Sequence, residues 1–323
     1  MASQPAPISV GAEASDASLS TWSPIVENRP SRNFRAPFKI VALNARGGSR
    51  LDAIARCLSQ PPLAGASLIL LSEANRLMFD ASGREFAAEL AARLGMSVAY
   101  LPEFALQREG GKIFAYMGNA LLSAEPIEEL VAIPTPSRKR IKWRFLRSSK
   151  IRKIGTSTGF VASTRLGGER VHVGVAHLDS RCTPSIRERQ MTTFLARFPA
   201  TGRAILGGDL NTTTTELLTA RGILSMVARM LVSSRRFRYP ESYEPLFDRI
   251  RERGLEIRGA NAIGRPTFTF SRIIPPWMRP KLDWIALRDL RPVAGSAAVV
   301  AAQPSFFSLR ASDHDFITVE VDF

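Results

Sequence analysis

The stretch Gly207-Gly208-Asp209-Leu210-Asn211 is the most informative part of this chain. It follows a short apolar run, Ala204-Ile205-Leu206, which is typical of a buried β-strand, and it precedes a threonine-rich stretch that we interpret as the start of a helix. The strand therefore delivers a carboxylate and a carboxamide, two residues apart, toward the same side. Such a pair can hold a water, a metal or a phosphoryl oxygen, although an Asx-turn that caps the following helix uses the same residue types.

Other strand-like segments also carry polar side chains at or near their ends. In chain order these residues are Asn44, Glu73, His177, Asp283 and the adjacent pair Asp313 and His314. An aspartate beside a histidine can orient and charge the imidazole, which suits phosphate binding or proton transfer. Chance could supply one or two such strand ends, so the repeated pattern predicts one shared site.

The order of these motifs resembles that of the endonuclease/exonuclease/phosphatase superfamily, the deoxyribonuclease I-like fold. The resemblance covers roughly residues 38–323 and includes GNALLS at 118–123, RPTF at 265–268 and LDWI at 282–285. It implies an α/β fold, a four-layer sandwich in which two packed mixed β-sheets are flanked by helices. We expect this catalytic domain at residues 37–323, after an N-terminal tail, residues 1–36, whose Ala-, Ser- and Pro-rich composition predicts disorder.

The resemblance also implies a metal side and a water side of the site. Glu73 is similar to the family's metal-binding glutamate, with Asn44 and Asp313 as further metal-side residues. Asp209 would orient or deprotonate the attacking water, and Asn211 would steady that water or the phosphate. Hard oxygen ligands of this kind suit Mg²⁺ or Mn²⁺.

The two histidines of the pattern complete the implied site. His314 would contact the scissile phosphate, polarised by Asp283, and Asn119 of the GNALLS strand would contact substrate. His177 matches a position at which the deoxyribonuclease and sphingomyelinase branches use histidine and the abasic-site branch does not, which argues against a dedicated abasic-site repair enzyme. Residues of this set fit a metal-dependent phosphodiesterase, and their retention argues against a non-catalytic protein that has kept only the fold.

The charge of the chain points to an anionic substrate or surface. The net charge is +15. Nine basic and no acidic residues lie between 138 and 153, and a second basic cluster, interleaved with aromatic residues, lies at 235–239. The candidate substrate-binding residues of the first cluster are Arg138, Lys139, Arg140, Lys142 and Arg144. Such clusters suit a nucleic-acid backbone, which we favour, but they also suit an anionic membrane surface or a simply solvated surface. The sequence indicates no protein partner.

Cysteine content and hydropathy give a weaker prediction of location. Two cysteines do not suggest a disulfide framework, and neither a secretory signal peptide nor an 18-residue apolar run is apparent. We therefore expect a cytoplasmic protein. The stretch after His177 predicts an amphipathic helix in which Arg187 and Gln190 occupy surface positions.

Overall fold

The computed structural model describes residues 24–32, 34–76, 85–108, 113–135, 151–155, 158–180, 182–213, 228, 235–269, 275–303, 305 and 308–323. The strands, numbered along the chain, are β1 (Ile25–Glu27), β2 (Phe38–Asn44), β3 (Leu68–Arg76), β4 (Ser97–Arg108), β5 (Ile113–Ser123), β6 (Glu129–Pro134), β7 (Ile151–Gly155), β8 (Thr158–Leu166), β9 (Glu169–Val175), β10 (Ala204–Asp209), β11 (Asp283–Arg288), β12 (Arg291–Pro292), β13 (Ala298–Val300) and β14 (Phe316–Asp322). The α-helices are α1 (Leu51–Leu58), α2 (Phe86–Leu94), α3 (Pro184–Ala196), α4 (Arg235–Arg238) and α5 (Leu246–Glu252), with 3₁₀ turns at Arg46–Gly48, Pro240–Ser242 and Pro276–Met278.

The described strands form two mixed sheets. The first has the order β1-β4-β5-β3-β2-β14-β12, with β7 paired to β4 and β13 paired to β14, and the second has the order β11-β10-β9-β8-β6. Each sheet contains one parallel pair, β2 with β3 in the first and β9 with β10 in the second, among antiparallel neighbours. The predicted pair of mixed sheets is therefore confirmed.

The layers follow from strands that are apolar on both faces. Along β2, Ile40 and Ala42 face the second sheet, whereas Val41 and Leu43 face the helices, because successive side chains of a strand point to opposite faces. The first face packs against residues such as Val173 of the second sheet. The outer face of the first sheet is covered by α1 and α2, and that of the second by α3 and α5. The result is the four-layer α/β sandwich that the resemblance implied.

The structure corrects two boundaries expected from the sequence. Ile25–Glu27 lies within the tail for which disorder was predicted, yet it forms strand β1 and pairs antiparallel with Val98–Tyr100 of β4. Ordered structure therefore begins before residue 37. The strand that was expected to end at Glu73 continues to Arg76, because the register against β5 shifts between Leu71 and Ala74 and the strand resumes beyond this bulge.

The structure gives one observation on the cysteines and one on the helices. Cys57 and Cys182 are both free and buried. Among the described residues, the helices are too short and too polar to cross a bilayer. The threonine-rich helix start expected after Asn211 falls largely on residues 214–227, and the first basic cluster on residues 136–150; both ranges lie outside the described part of the chain.

Candidate active site

Strands from both sheets bring the predicted residues to one edge of the sandwich. Asp209 is the last residue of β10, and it pairs in register with Asp283, the first residue of the antiparallel β11. Asn44 ends β2 in the other sheet, and His314 lies two residues before the start of β14, which is antiparallel to β2. Because the end of one strand and the start of its antiparallel neighbour share an edge, these side chains converge although they are distant in sequence.

Asp209 is the centre of this edge. Its Oδ2 accepts a hydrogen bond from Asn44 Nδ2 at 2.9 Å, and its Oδ1 accepts one from the backbone N–H of Asn211 at 2.9 Å. Asn211 has a φ of +50° and donates its side-chain Nδ2 to the carbonyl of Leu178 at 2.8 Å. The carboxylate is therefore held in one orientation by two donors. Asn211 also ties the loop after β9 to the loop after β10.

The approach of the neighbouring strands β9 and β10 beside Asp209 depends on the preceding glycine. Gly208 has a φ of +134°, and a Cβ at this position would lie 2.2 Å from the carbonyl oxygen of Ala176. Any other residue would push β9 and β10 apart where they present His177 and Asp209. The double glycine is thus explained by a close backbone contact next to the site.

His314 forms the first of two imidazole–carboxylate pairs. Its Nδ1 lies 2.8 Å from Asp283 Oδ2, and because a carboxylate can only accept, Nδ1 carries the proton and donates. The other ring nitrogen, Nε2, faces Asp209 Oδ2 at 3.7 Å. The Phe268 ring packs edge-on against the imidazole with centroids 4.9 Å apart. Asp283 and Phe268 therefore fix the ring so that Nε2 points into the site.

His177 forms the second pair, with a residue that the sequence analysis did not single out. Its Nδ1 lies 3.0 Å from Oε2 of Glu103, a carboxylate of β4 that is only 1% exposed. Its Nε2 lies 4.0 Å from Asp209 Oδ2 and 3.9 Å from Glu73 Oε1. The available signal for Glu103 was a lone acidic residue within the apolar stretch 98–106, but nothing in the sequence pairs it with His177.

Two β-bulges aim the glutamates at this site. Glu103 lies between Pro102 and Phe104, where the register of β4 against β5 shifts, and Glu73 lies at the shift in β3 with a φ of +51°. A bulge adds a residue to one strand and turns its side chain away from the regular alternation. Glu73 keeps a partly exposed carboxylate at the site, whereas Glu103 is enclosed beneath His177.

The carboxylates control the protonation of both histidines. Burial alone would lower the pKa of His177, but Glu103, Asp209 and Glu73 together raise it to about 10. Burial likewise opposes the charged form of His314, and Asp283 and Asp209 outweigh it and raise the pKa to about 10. Both imidazoles are therefore cationic at neutral pH.

Asp209 itself titrates closer to neutrality. Burial raises the pKa of Asp209 to about 6, with the charge of Asp283 in the same direction and the two histidines against it. The carboxylate is ionised at neutral pH but is a stronger base than an exposed aspartate. This is the property expected of a group that accepts a proton from water.

The remaining metal-side residues lie at the same edge. Asp313 forms an ion pair with Arg46, Oδ2 to Nε at 3.5 Å, and Ser312 donates its hydroxyl to the carbonyl of Asn44 at 2.7 Å. Asn44 Oδ1 accepts the backbone N–H of Arg46 at 2.9 Å. The turn after Asn44 and the loop before His314 are thus joined directly.

The donor atoms at this edge are compatible with a metal. Asp209, Asp283 and His314 each bring one ligand atom within 4.8 Å of the others, a group that could hold an ion once His314 has lost its proton. Glu73 and Asp313 add carboxylate oxygens nearby in the fold. Since oxygen ligands predominate, the donor chemistry fits a hard divalent cation such as Mg²⁺ or Mn²⁺.

Among the predicted substrate-binding residues, Asn119 lies on β5 and is fully buried, paired in register with Leu101 of β4. The basic residues Arg138, Lys139, Arg140, Lys142 and Arg144 lie outside the described residues. The second basic cluster is described: α4 carries Arg235, Arg236 and Arg238, with guanidinium groups stacked near Tyr239 and Tyr243.

Arg187 and Gln190 do not occupy the helix surface that was expected for them; both are fully buried. Arg187 pairs with Glu244 at 2.5 Å and donates to the carbonyl of Cys182 at 2.9 Å. Gln190 donates to Asp179 Oδ2 at 3.0 Å. Both side chains therefore hold the loop that follows His177. The amphipathic pattern did not indicate the burial of these two residues, because long polar side chains can be buried when they are fully paired.

Comparisons with known proteins give the fold. No family model and no curated protein matches the chain. An endonuclease/exonuclease/phosphatase from Beutenbergia cavernae is 18% identical, with a TM-score of 0.56 over 88% of this chain and 71% of that one. An endonuclease/exonuclease/phosphatase family protein from Leptotrichia buccalis is 17% identical, with a TM-score of 0.55 over 88% and 100%. A functionally unknown conserved protein from Enterococcus faecalis is 15% identical, with a TM-score of 0.52 over 88% and 99%. The chain therefore has the fold of the endonuclease/exonuclease/phosphatase proteins, as its ordered motifs predicted.

Proposed function

We propose that the protein is a divalent-metal-dependent phosphodiesterase that hydrolyses DNA or RNA by attack of an activated water. The observation that carries the proposal is the convergence of two imidazoles on one carboxylate: Nε2 of His177 and of His314 lie 4.0 and 3.7 Å from Asp209 Oδ2. Two fixed cationic donors and one fixed base match the needs of phosphodiester hydrolysis. That reaction requires neutralisation of an anion and alignment of a water more than covalent help.

Each residue takes the part that its contacts allow. Asp209, ionised at neutral pH and held by Asn44 and Asn211, accepts a proton from the attacking water. His314, kept cationic by Asp283, donates from Nε2 to a phosphoryl oxygen. His177, kept cationic by Glu103, supplies a second donor on the side of Glu73. Asn211 acts by positioning Asp209 through its backbone N–H, since its side-chain Nδ2 is bound to the carbonyl of Leu178.

We assign the metal to the side of the site occupied by Glu73, with Asp313 and Asn44 Oδ1 as further oxygen donors. Glu73 suits this role because its carboxylate is partly exposed at the site while its backbone is held at a bulge. Bound there, the ion would act as a Lewis acid on a phosphoryl oxygen and offset its negative charge. Asn44 has a second task, since its Nδ2 orients Asp209.

Charge and aromatic surface favour nucleic acid as the substrate. The net charge of +15 provides long-range attraction to a polyanion. On α4, Arg236 lies 4.7 Å from the ring centroid of Tyr243, which is exposed, and Arg235 and Arg238 lie 5.9 and 5.8 Å from that of Tyr239. Guanidinium groups interleaved with aromatic rings can track a phosphate backbone and stack bases.

A second candidate is a phosphoesterase of lipid or small phosphorylated substrates. The observation that favours it is Trp277, which is 46% exposed in the turn packed against α4. An exposed tryptophan beside arginines also suits a membrane interface.

One turnover panel tests both candidates. Purified protein with Mg²⁺ or Mn²⁺ is offered supercoiled plasmid, single-stranded DNA, RNA, sphingomyelin vesicles and bis(p-nitrophenyl) phosphate. We expect metal-dependent cleavage of nucleic acid that falls by about 10²- to 10⁴-fold in His314→Ala. His172→Ala, which alters the histidine outside the site, is the matched control and should keep wild-type turnover. Turnover of lipid or small phosphoester alone would favour the second candidate, and no metal-dependent turnover of any substrate would contradict both.

A further inference from the structure

A cavity of about 440 Å³ lies between the turn that follows Asn44 and the loop that precedes His314, and the proposed chemistry does not use it. Its walls are the turn after Asn44, the first turn of α1 and the loop before His314, contributing among others Gly48, Arg50, Arg56 and Leu309. Ser312, which donates to the Asn44 carbonyl, joins two of these walls next to the site. The cavity is therefore continuous with the segments that carry Asn44 and His314.

The cavity is lined by positive charge that carboxylates do not compensate. Arg50 donates to the backbone carbonyl of Arg310, and Arg56 donates to the backbone carbonyl of Asp52 at 3.3 Å. Within the described part of the chain, no carboxylate forms an ion pair with either guanidinium. The one acidic side chain of the wall, Asp52, is already paired with Arg93 at 2.5 Å.

The cavity also offers an apolar surface. Leu309 is 75% exposed, and it lines the cavity together with Phe86. Gly48, with a φ of +66°, lets the backbone pass the Phe86 ring, because a Cβ there would come within 2.3 Å of that ring. Glycine is therefore required where this wall of the cavity contacts Phe86.

We propose that this cavity binds one nucleotide of a single-stranded substrate, adjacent to the phosphodiester that is cleaved. The backbone phosphate would lie against Arg50 and Arg56, and the base would lie against Leu309. The volume falls within the range of small-ligand sites, and the combination of guanidinium groups with an exposed apolar side chain fits an anion that carries a ring. The inference rests on the proposed function, since it makes the same site specific for a polynucleotide chain.

Binding without turnover tests the inference. A fluorescein-labelled single-stranded oligonucleotide is titrated with protein in EDTA, and its anisotropy gives the Kd at several salt concentrations. Arg56→Gln should weaken binding roughly three- to tenfold and reduce the slope of log K against log salt by about 0.7, the loss of one phosphate contact. Leu309→Glu changes an exposed residue and should weaken binding to a similar extent. Arg197→Gln removes an exposed arginine at the far end of α3 and is the matched control, expected to bind as wild type.

Several results would overturn the inference. One is failure of the wild-type protein to bind the oligonucleotide, and another is binding by Arg56→Gln and Leu309→Glu that is as tight as wild type. Arg56-dependent binding of phosphatidylserine vesicles without Arg56-dependent binding of the oligonucleotide would assign the cavity to a lipid headgroup. If inorganic phosphate abolished the difference in Kd between Arg56→Gln and wild type, the cavity would be a site for free anions instead. Metal-dependent turnover of bis(p-nitrophenyl) phosphate by the wild-type protein and by Arg197→Gln is measured separately, so failure of the proposed chemistry remains distinguishable from failure of the cavity assignment.

Discussion

Replacement of Glu103 by glutamine should lower the pKa of His177 without disturbing its position. Glutamine keeps an oxygen that can accept the Nδ1–H hydrogen bond, now 3.0 Å long, but removes the negative charge. A hydrogen bond to a charged group in a protein is worth roughly 1.5–3 kcal/mol and one to a neutral group roughly 0.5–1.5 kcal/mol, so loss of the charge removes roughly 1–1.5 kcal/mol. At about 1.4 kcal/mol per pKa unit, this loss corresponds to about one unit. We expect the pKa of His177 to fall from about 10 to roughly 9.

The sign of the pH effect follows from the direction of the shift. The folded protein holds the His177 proton more tightly than the ordinary pKa of 6.5 would allow, so this group stabilises the fold fully below pH 6.5 and loses that contribution as pH rises through about 10. In Glu103→Gln the loss should be complete at a lower pH. Any catalytic step that needs the imidazolium should fail at the same lower pH.

Histidine-selective NMR in EDTA measures this shift directly, since the chain has only three histidines. His172 is an internal reference: burial and then Arg170 lower its pKa, so its signal should titrate at lower pH than the other two. His177→Gln assigns the His177 signal, and Glu252→Gln, which changes an exposed carboxylate, is the matched control. If the His177 signal of Glu103→Gln still titrated near pH 10, the Glu103 charge would not be what keeps this imidazole protonated.

Two further predictions concern the framework of the site. Gly208→Ala should destabilise the protein by roughly 2 kcal/mol or more in urea unfolding, because its Cβ would lie 2.2 Å from the Ala176 oxygen. The control is Gly168→Ala, whose Cβ would have no atom within 4 Å and which should lower the free energy of unfolding clearly less. Equal losses in the two variants would contradict the close-contact argument. Arg187→Met should cost about 3–5 kcal/mol because it removes the cation that is paired with the buried Glu244 carboxylate. The double variant Arg187→Met/Glu244→Leu should recover much of that loss, and no recovery would mean that packing rather than charge pairing is responsible.

Much of the site could be predicted from the sequence because its residues lie at strand ends. The apolar run before Asp209 and the alternating run after His314 are local patterns, and each indicates where a strand ends or begins and which side chain it presents there. Asn44, His177, Asp209, Asp283 and His314 were found in this way, and the structure brings them to one edge. The resemblance added their order, which a single motif could not supply.

Other features were decided only by tertiary structure. Glu103 and Glu73 reach the site through bulges in β4 and β3, and a bulge depends on how two strands register against each other. Arg187 is buried because Glu244, 57 residues away, closes against it. The strand β1 within the expected tail exists because the edge of β4 accepts it.

The sequence by itself therefore determined the strand ends and the chemical types at the site, since these depend on patterns of a few residues, and the family resemblance implied the layers. The tertiary structure decided which carboxylate meets which imidazole, and hence which groups are charged. It also decided that the turn after Asn44 and the loop before His314 enclose a cavity. The physical reason is that pKa, burial and shape depend on distances of a few ångströms between segments far apart in the chain, and local pattern does not specify those distances.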